Sequence, residues 1–189
     1  MLSVIIPTNG VEQPAVATLA ALVPGAAAGV IREVLLVDRA GTDVIERVAD
    51  VAGCDFLTST GSRAAAMAVG AKAARSSWLM FLHAGAVLDA GWIEETQQFV
   101  QRVSTSDRPR AGIFRYARSP YDEAGFRDGV KHLLRKVSGP KADQGLLIAR
   151  DHYERLGGHA DTRGAEARLL RQLGRAERTM LRSRIMMVA

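Results

Sequence analysis

Apolar positions fall in short runs separated by polar or glycine-containing breaks. Leu2 to Ile6 is a β-branched run stopped at Pro7, the pattern of a strand buried on both faces. Pro14 suits a first helical turn. Leu19, Leu22 and Val23 continue a helical stripe, and Pro24-Gly25 predicts its end. Glu33 to Val37 is a second strand run, ending at Asp38. Asp43 followed by Glu46 reads as a capping box, with Val44, Val48 and Val51 as the buried face of the next helix. Asp55 to Thr58 is a short third strand. Gly61-Ser62 opens an alanine-rich helix over about 63–74, and Trp78 to Leu82 is a fourth strand. Asp89 then predicts a cap for a helix striped by Trp92, Thr96, Phe99 and Val103, with Glu94 and Glu95 in its first turn, where the helix dipole favours anions.

That alternation of strand and helix predicts a doubly wound, parallel arrangement. The second half is less regular. Residues 104–110 read as a polar loop and 111–116 as a strand. Residues 122–136 look helical, interrupted by Gly125 and Gly129. Gly139-Pro140 precedes a short strand over 145–149, and Asp151 to Leu156 makes a helical turn closed by Gly157-Gly158. A last helix is expected over about 165–173, ended by Gly174. No repeat or linker divides the chain. The expectation is one α/β domain over 1–189, with a binding half over 1–103 and a second half over 104–189.

Composition changes this picture little. The 189 residues include 48% hydrophobic and 24% charged positions, an ordinary globular balance. No apolar run approaches the roughly 20 residues of a membrane helix. A single cysteine, Cys54, cannot form an intrachain disulfide and reads as a small packing residue, which predicts a cytoplasmic, reducing setting. Charge is more informative. Residues 1–100 carry six Lys and Arg against ten Asp and Glu, whereas residues 101–189 carry nineteen against ten. The basic half is either a solvated arginine-rich face or a surface that meets an anion. With only 5% aromatic residues and no interleaving of basic and aromatic positions, nucleic acid is not an expected partner.

In open α/β sheets, ligands bind beyond the carboxyl ends of the parallel strands. Four groups of residues follow predicted strand ends: Pro7-Thr8-Asn9, Asp38, Gly61-Ser62-Arg63 and His83-Ala84-Gly85. A carboxylate at a strand end can accept from a base or ribose, and an arginine at a helix start can grip a phosphate. Each also has a plainer reading. Asp38 could cap a turn before Gly41, Arg63 could be a surface arginine and His83 a satisfied buried histidine. Their shared placement at successive strand ends favours a site. The dinucleotide glycine fingerprint and the Walker pattern are both missing.

The stretches LSVIIPTNG, REVLLVDRAGTD, GSRAAAMAVGAKAARSSWLMFLHAGAVL, DQGLLIARDHYERLGG and LLRQLGR resemble family 2 glycosyltransferases of the GT-A fold. They are most similar to a small bacterial subgroup whose fourth strand ends in His-Ala-Asp. The resemblance runs through nearly the whole chain in order, and FLHA and DQGLLI are its most specific pieces. It implies a Rossmann-like three-layer sandwich with a mostly parallel mixed sheet, and a nucleotide-diphosphate sugar as donor. Pro7, Thr8, Asn9 and Asp38 match positions that hold the nucleoside, and Arg63 matches the arginine of the following helix. His83, Ala84 and Gly85 match the motif that binds a divalent metal, Mn²⁺ or Mg²⁺, bridging the diphosphate. The catalytic base, the second member of a Glu-Asp pair, falls on Glu166 after Ala165. Asp143 matches an acceptor-side aspartate within 142–145. The acceptor is unspecified. The basic half leaves room for a lipid-linked acceptor, for peripheral contact with the inner face of a membrane and for self-association.

Departures from the subgroup touch several motifs. Gly85 replaces the metal-binding aspartate, although such a metal favours hard oxygen ligands. Ala66 and Ala68 stand where the subgroup has Gln and Asn, and VDRAGTD lacks the usual Gly-Gly-Ser. Glu166 lies three, four and seven residues before Leu169, Leu170 and Leu173, which puts it on an inward stripe, where it is a cap or a general base. Glutamate for aspartate moves the carboxylate by about one C–C bond, and a misplacement of about 1 Å can cost roughly 10²-fold in rate. Losses spread in this way raise a second expectation, a homologue that binds nucleotide or a protein partner without transferring sugar.

Overall fold

The structure is a computed structural model that describes residues 1–106, 108–117, 142–162 and 164–188. The first half follows the expected alternation: β1 (Leu2–Thr8), α1 (Glu12–Ala27), β2 (Ile31–Asp38), α2 (Asp43–Ala52), β3 (Asp55–Thr58), α3 (Arg63–Ala73) and β4 (Trp78–Phe81). Then come β5 (Ala86–Leu88), α4 (Trp92–Ser104) and β6 (Ala111–Tyr116). A 3₁₀ turn over Ala142–Gln144 leads into β7 (Leu146–Ala149), α5 (Arg150–Arg155) and α6 (Ala165–Gln172), and the described chain closes with β8 (Arg178–Met187). The expected helix over 122–136 lies outside the described residues.

These strands form one sheet in the order β3-β2-β1-β4-β7-β6-β8-β5. The pairs β3-β2, β2-β1, β1-β4 and β6-β8 are parallel, and β4-β7, β7-β6 and β8-β5 are antiparallel. The expected mostly parallel mixed sheet is therefore present. Every residue of β1 is buried, because helices cover both faces of the sheet. On one face Val4, Ile6 and Met80 meet Leu22, Ile45, Trp92 and Phe99 of α1, α2 and α4. On the other, Ile5, Val37 and Leu79 meet Ala66, Met67 and Ala71 of α3 and Leu169 and Leu170 of α6. The result is three layers.

Local chemistry explains where the pattern misleads. Helix α1 continues through Pro24 to Ala27. The turn closes when Ala28 N–H donates to Pro24 O and Val30 N–H to Gly25 O. The helix needs glycine at 25, since a Cβ there would lie 2.4 Å from the Trp92 ring. In α2 the buried face is Ile45, Val48 and Ala49, while Val51 is exposed. Asp43 is the first helical residue, after an N-cap at Thr42 that makes no side-chain cap bond. Asp89 likewise does not cap α4 with its side chain; its Oδ2 accepts from Arg184 N–H, tying that corner to β8.

Helix α3 is small-residued for a packing reason. A Cβ at Gly70 would meet Ile5 Cγ2 at 2.5 Å, so only glycine lets α3 lie this close to β1. Its carboxyl end is held by Arg150, whose guanidinium donates to the carbonyls of Ala71, Ala74 and Ser76. Strands β5 and β8 carry no counterpart in the sequence reading. The signal for β8 was present as a period of two, with Leu181, Ser183 and Ile185 buried between exposed Arg182, Arg184 and Met186. Buried Glu95 fixes that strand by accepting from the N–H groups of Arg182 and Ser183 and from Ser183 Oγ.

Candidate functional site

The sheet reverses its winding between β1 and β4: β2 and β3 run out to one side, and α3 crosses back to deliver β4 on the other. Such a switch point leaves a crevice beyond the strand ends. Thr8, Asp38 and Thr58 stand side by side there, in register across β1, β2 and β3.

Asp38 is fully buried and organises the loops around it. Its Oδ1 accepts from Thr8 Oγ1 and Gly10 N–H, each at 2.8 Å. Its Oδ2 accepts from Ala40 and Gly41 N–H at 3.1 and 3.0 Å. Burial would raise its pKa, but these four bonds outweigh it and hold the group below the usual carboxylate value. Both oxygens are thus spent inside the protein, and the carboxylate shapes the β1 and β2 loops. Pro7 and Thr8 are buried with it, and Asn9 is the member of that loop that faces solvent.

The second part of the site joins three chain segments. Ser62 caps α3, accepting from Ala65 N–H at 3.2 Å, and places Arg63 at the helix start. Arg63 Nε donates to Glu166 Oε1 at 2.8 Å, and His83 Nε2 lies 2.7 Å from Glu166 Oε2. Arg63 is half exposed, whereas the side chains of Glu166 and His83 retain about a tenth of their exposure. Burial alone would raise the Glu166 pKa. The hydrogen bonds and charges of His83 and Arg63 overcome that and bring it to about 2. The structure therefore brings the predicted residues His83, Arg63 and Glu166 into one cluster. Asp161 extends it, accepting from Ser62 N–H at 3.1 Å.

The loop of His83, Ala84 and Gly85 is pinned by α1. Thr18 Oγ1 lies within hydrogen-bond reach of the carbonyls of Pro14 and His83 and accepts from Gly85 N–H at 2.9 Å. Gly85 N–H also reaches Pro14 O at 2.8 Å, and Gly85 O accepts from Val188 N–H at 2.8 Å. Gly85 has φ +93°, and a Cβ on it would stand 2.3 Å from the Val188 carbonyl oxygen. No side chain fits where the resemblance expects a metal-binding aspartate. Among the described residues no three His, Cys, Asp or Glu side chains group to hold a metal ion. The described residues at this loop do not fit the expected Mn²⁺ or Mg²⁺.

His159 is the residue that sequence reasoning missed. It is buried edge-on against Phe81, with ring centroids 4.9 Å apart. Its Nδ1 lies 3.1 Å from the Tyr153 hydroxyl, and its own N–H donates to that oxygen at 3.0 Å. It lines a small cavity with Glu166, Phe81 and Gly145. Burial pushes its pKa down to about 4, the Glu166 charge opposing and the His83 charge assisting. The only sequence signal was a histidine directly after Gly157-Gly158. Asp143 sits in the 3₁₀ turn before Gly145, half-buried, with no hydrogen bond or ion pair to a described residue. Its neighbour Gln144 donates to Phe114 O at 3.0 Å and anchors the turn.

No protein-family model matches the sequence, and no curated protein matches it. Solved structures do match in shape. Glucosyl-3-phosphoglycerate synthase from Mycobacterium tuberculosis, solved with Mn²⁺, uridine diphosphate and glucosyl-3-phosphoglycerate, superposes with a TM-score of 0.62 at 13% identity. That match covers 100% of this chain and 72% of the synthase. Residues 1–349 of TarS from S. aureus give 0.62 at 12% identity, covering 95% of this chain and 57% of that one. At such identities the likeness establishes architecture: the chain has the Rossmann-like fold of GT-A-type glycosyltransferases. No helix among the described residues is long and apolar enough to cross a membrane.

Proposed function

We propose that this chain binds a nucleotide-diphosphate sugar beyond the carboxyl ends of β1, β2 and β4 and transfers the sugar, with inversion, to an acceptor hydroxyl. The observation that carries the reading is the convergence of Arg63, His83 and Glu166 at the switch point of a glycosyltransferase fold. The loops shaped by Asp38, with Asn9 facing outward, are the nucleoside side, and the half-exposed Arg63 faces the diphosphate. Ala84 and Gly85 supply backbone beside it. In the step, an acceptor oxygen bonds to the anomeric carbon as the bond from that carbon to the diphosphate oxygen breaks. The electron pair leaves with the diphosphate, whose charge Arg63 meets, and the hydroxyl proton passes to a carboxylate. Glu166 is one candidate base. Asp143 is the other, and it is the carboxylate with no ion pair among the described residues.

A second reading, nucleotide binding without transfer, is favoured by one observation. A base works best with a pKa near the working pH, and Glu166 is held at about 2. Calorimetry with uridine and guanosine diphosphates, followed by assay of diphosphate release from the corresponding sugars, separates the readings. Binding with release supports transfer, and binding without release supports the second reading. Absence of binding by either nucleotide would end both.

A further inference from the structure

The disagreement between the fold's usual metal corner and the residues found here has a consequence. We infer that donor binding in this chain requires no divalent cation, the cationic charge at the diphosphate being supplied by Arg63. The inference rests on the donor-binding reading above.

Three observations carry it. The first is steric. Gly85 has a left-handed backbone and a would-be Cβ 2.3 Å from the Val188 carbonyl, and its N–H and C=O are bonded to α1 and to residue 188. A carboxylate could enter there only by displacing main chain. The second concerns ligands. His83 Nε2, the remaining side chain of the motif, is taken up by Glu166. Among the described residues no other carboxylate or histidine completes a set of three. The third is the cation itself. Arg63 engages Glu166 through Nε alone, and its Nη groups bond to no described residue. A guanidinium held by one edge, with its terminal nitrogens open, is preorganised for a fork to phosphate oxygens. Glu166 then acts as the resting counter-ion. It holds Arg63 in place when no donor is bound, and a diphosphate competes with it for the guanidinium.

The test is calorimetry of the full chain with uridine diphosphate, in EDTA and again in Mn²⁺. The expected dissociation constants differ by less than about twofold. Arg63→Ala weakens binding by about tenfold or more in both buffers, as loss of a bidentate ionic contact does. Glu166→Gln, which frees Arg63 from its counter-ion, tightens binding in EDTA by several-fold. Binding that appears only with Mn²⁺, or strengthens about tenfold with it, overturns the inference and leaves donor binding standing. Absence of binding in both buffers overturns donor binding itself. Should Arg63→Ala fail to fold, the wild-type comparison and Glu166→Gln decide.

Discussion

His83 and Glu166, 83 residues apart in sequence, meet at 2.7 Å, and the carboxylate that joins them also holds Arg63. Helix α6 is thereby bound to the end of β4 and the start of α3. The same carboxylate is strongly acidic because it is shared.

The acid-side stability curve should show this carboxylate. Its folded pKa of about 2 lies below the ordinary 4.5, so its contribution is full above about pH 4.5 and is lost as pH falls toward 2. Allowing for solvent screening at half-exposed Arg63, the amount is on the order of 2 kcal/mol. Urea unfolding at stepped pH should give a shallower acid decline for Glu166→Gln than for the wild type. Parallel curves would refute the contribution.

His159 acts over a higher window. Its folded pKa of about 4 lies below the ordinary 6.5, so the unfolded chain binds its proton first. Stability therefore falls as pH drops from about 6.5 to 4, by on the order of 3 kcal/mol from this group. His159→Phe keeps the ring against Phe81 and removes the proton. The variant should lose the pH dependence in that window, read by the same titration series.

Asp38 should be among the most costly sites to truncate. Asp38→Ala removes a fully buried acceptor shared by buried Thr8 Oγ1 and by the partly buried N–H groups of Gly10, Ala40 and Gly41. The expected loss is on the order of 3 kcal/mol. Asp38→Asn, which keeps one acceptor oxygen, should lose less. Equal losses in the two variants would show that acceptor bonding is not what the site depends on.

Gly85→Ala should destabilise by about 2 kcal/mol or more, through left-handed strain and the contact with Val188. Gly174→Ala, where a Cβ meets nothing within 4 Å, should stay within about 0.5 kcal/mol of wild type. Thermal melts of the two variants check the contrast. Matched melting temperatures would mean that the loop after β4 yields easily.

Much of the first half was legible because each strand is short, apolar and closed by a polar break, and helices alternate with strands. The β8 strand was missed because its outward positions are arginine and methionine, which fit a helix as readily as a strand. Glu95 looks like an acid favoured by the helix dipole and Asp89 like a helix cap, yet their side chains serve a strand that lies about 90 residues later. For the site, strand ends marked Asp38 and His83. Partnership could not be read from spacing: that Asp38 spends both oxygens within the protein, or that Glu166 joins Arg63 to His83, depends on contacts between distant segments. The resemblance placed a metal at His83-Ala84-Gly85, and only the approach of residue 188 shows why a side chain at 85 has no room.

Strand β8 lies between β6 and β5, so residues 178–187 complete a sheet whose other strands are synthesised earlier. While those residues are still within the ribosome, β6 is an open edge and β5 lacks its strand partner, and both are exposed to wrong pairing. The three-layer half built on β1 to β4 can collapse first, and closure of the far edge must wait for residues 178–187. Slow, non-local closure of this kind prolongs the time for which an unpaired strand is exposed to aggregation.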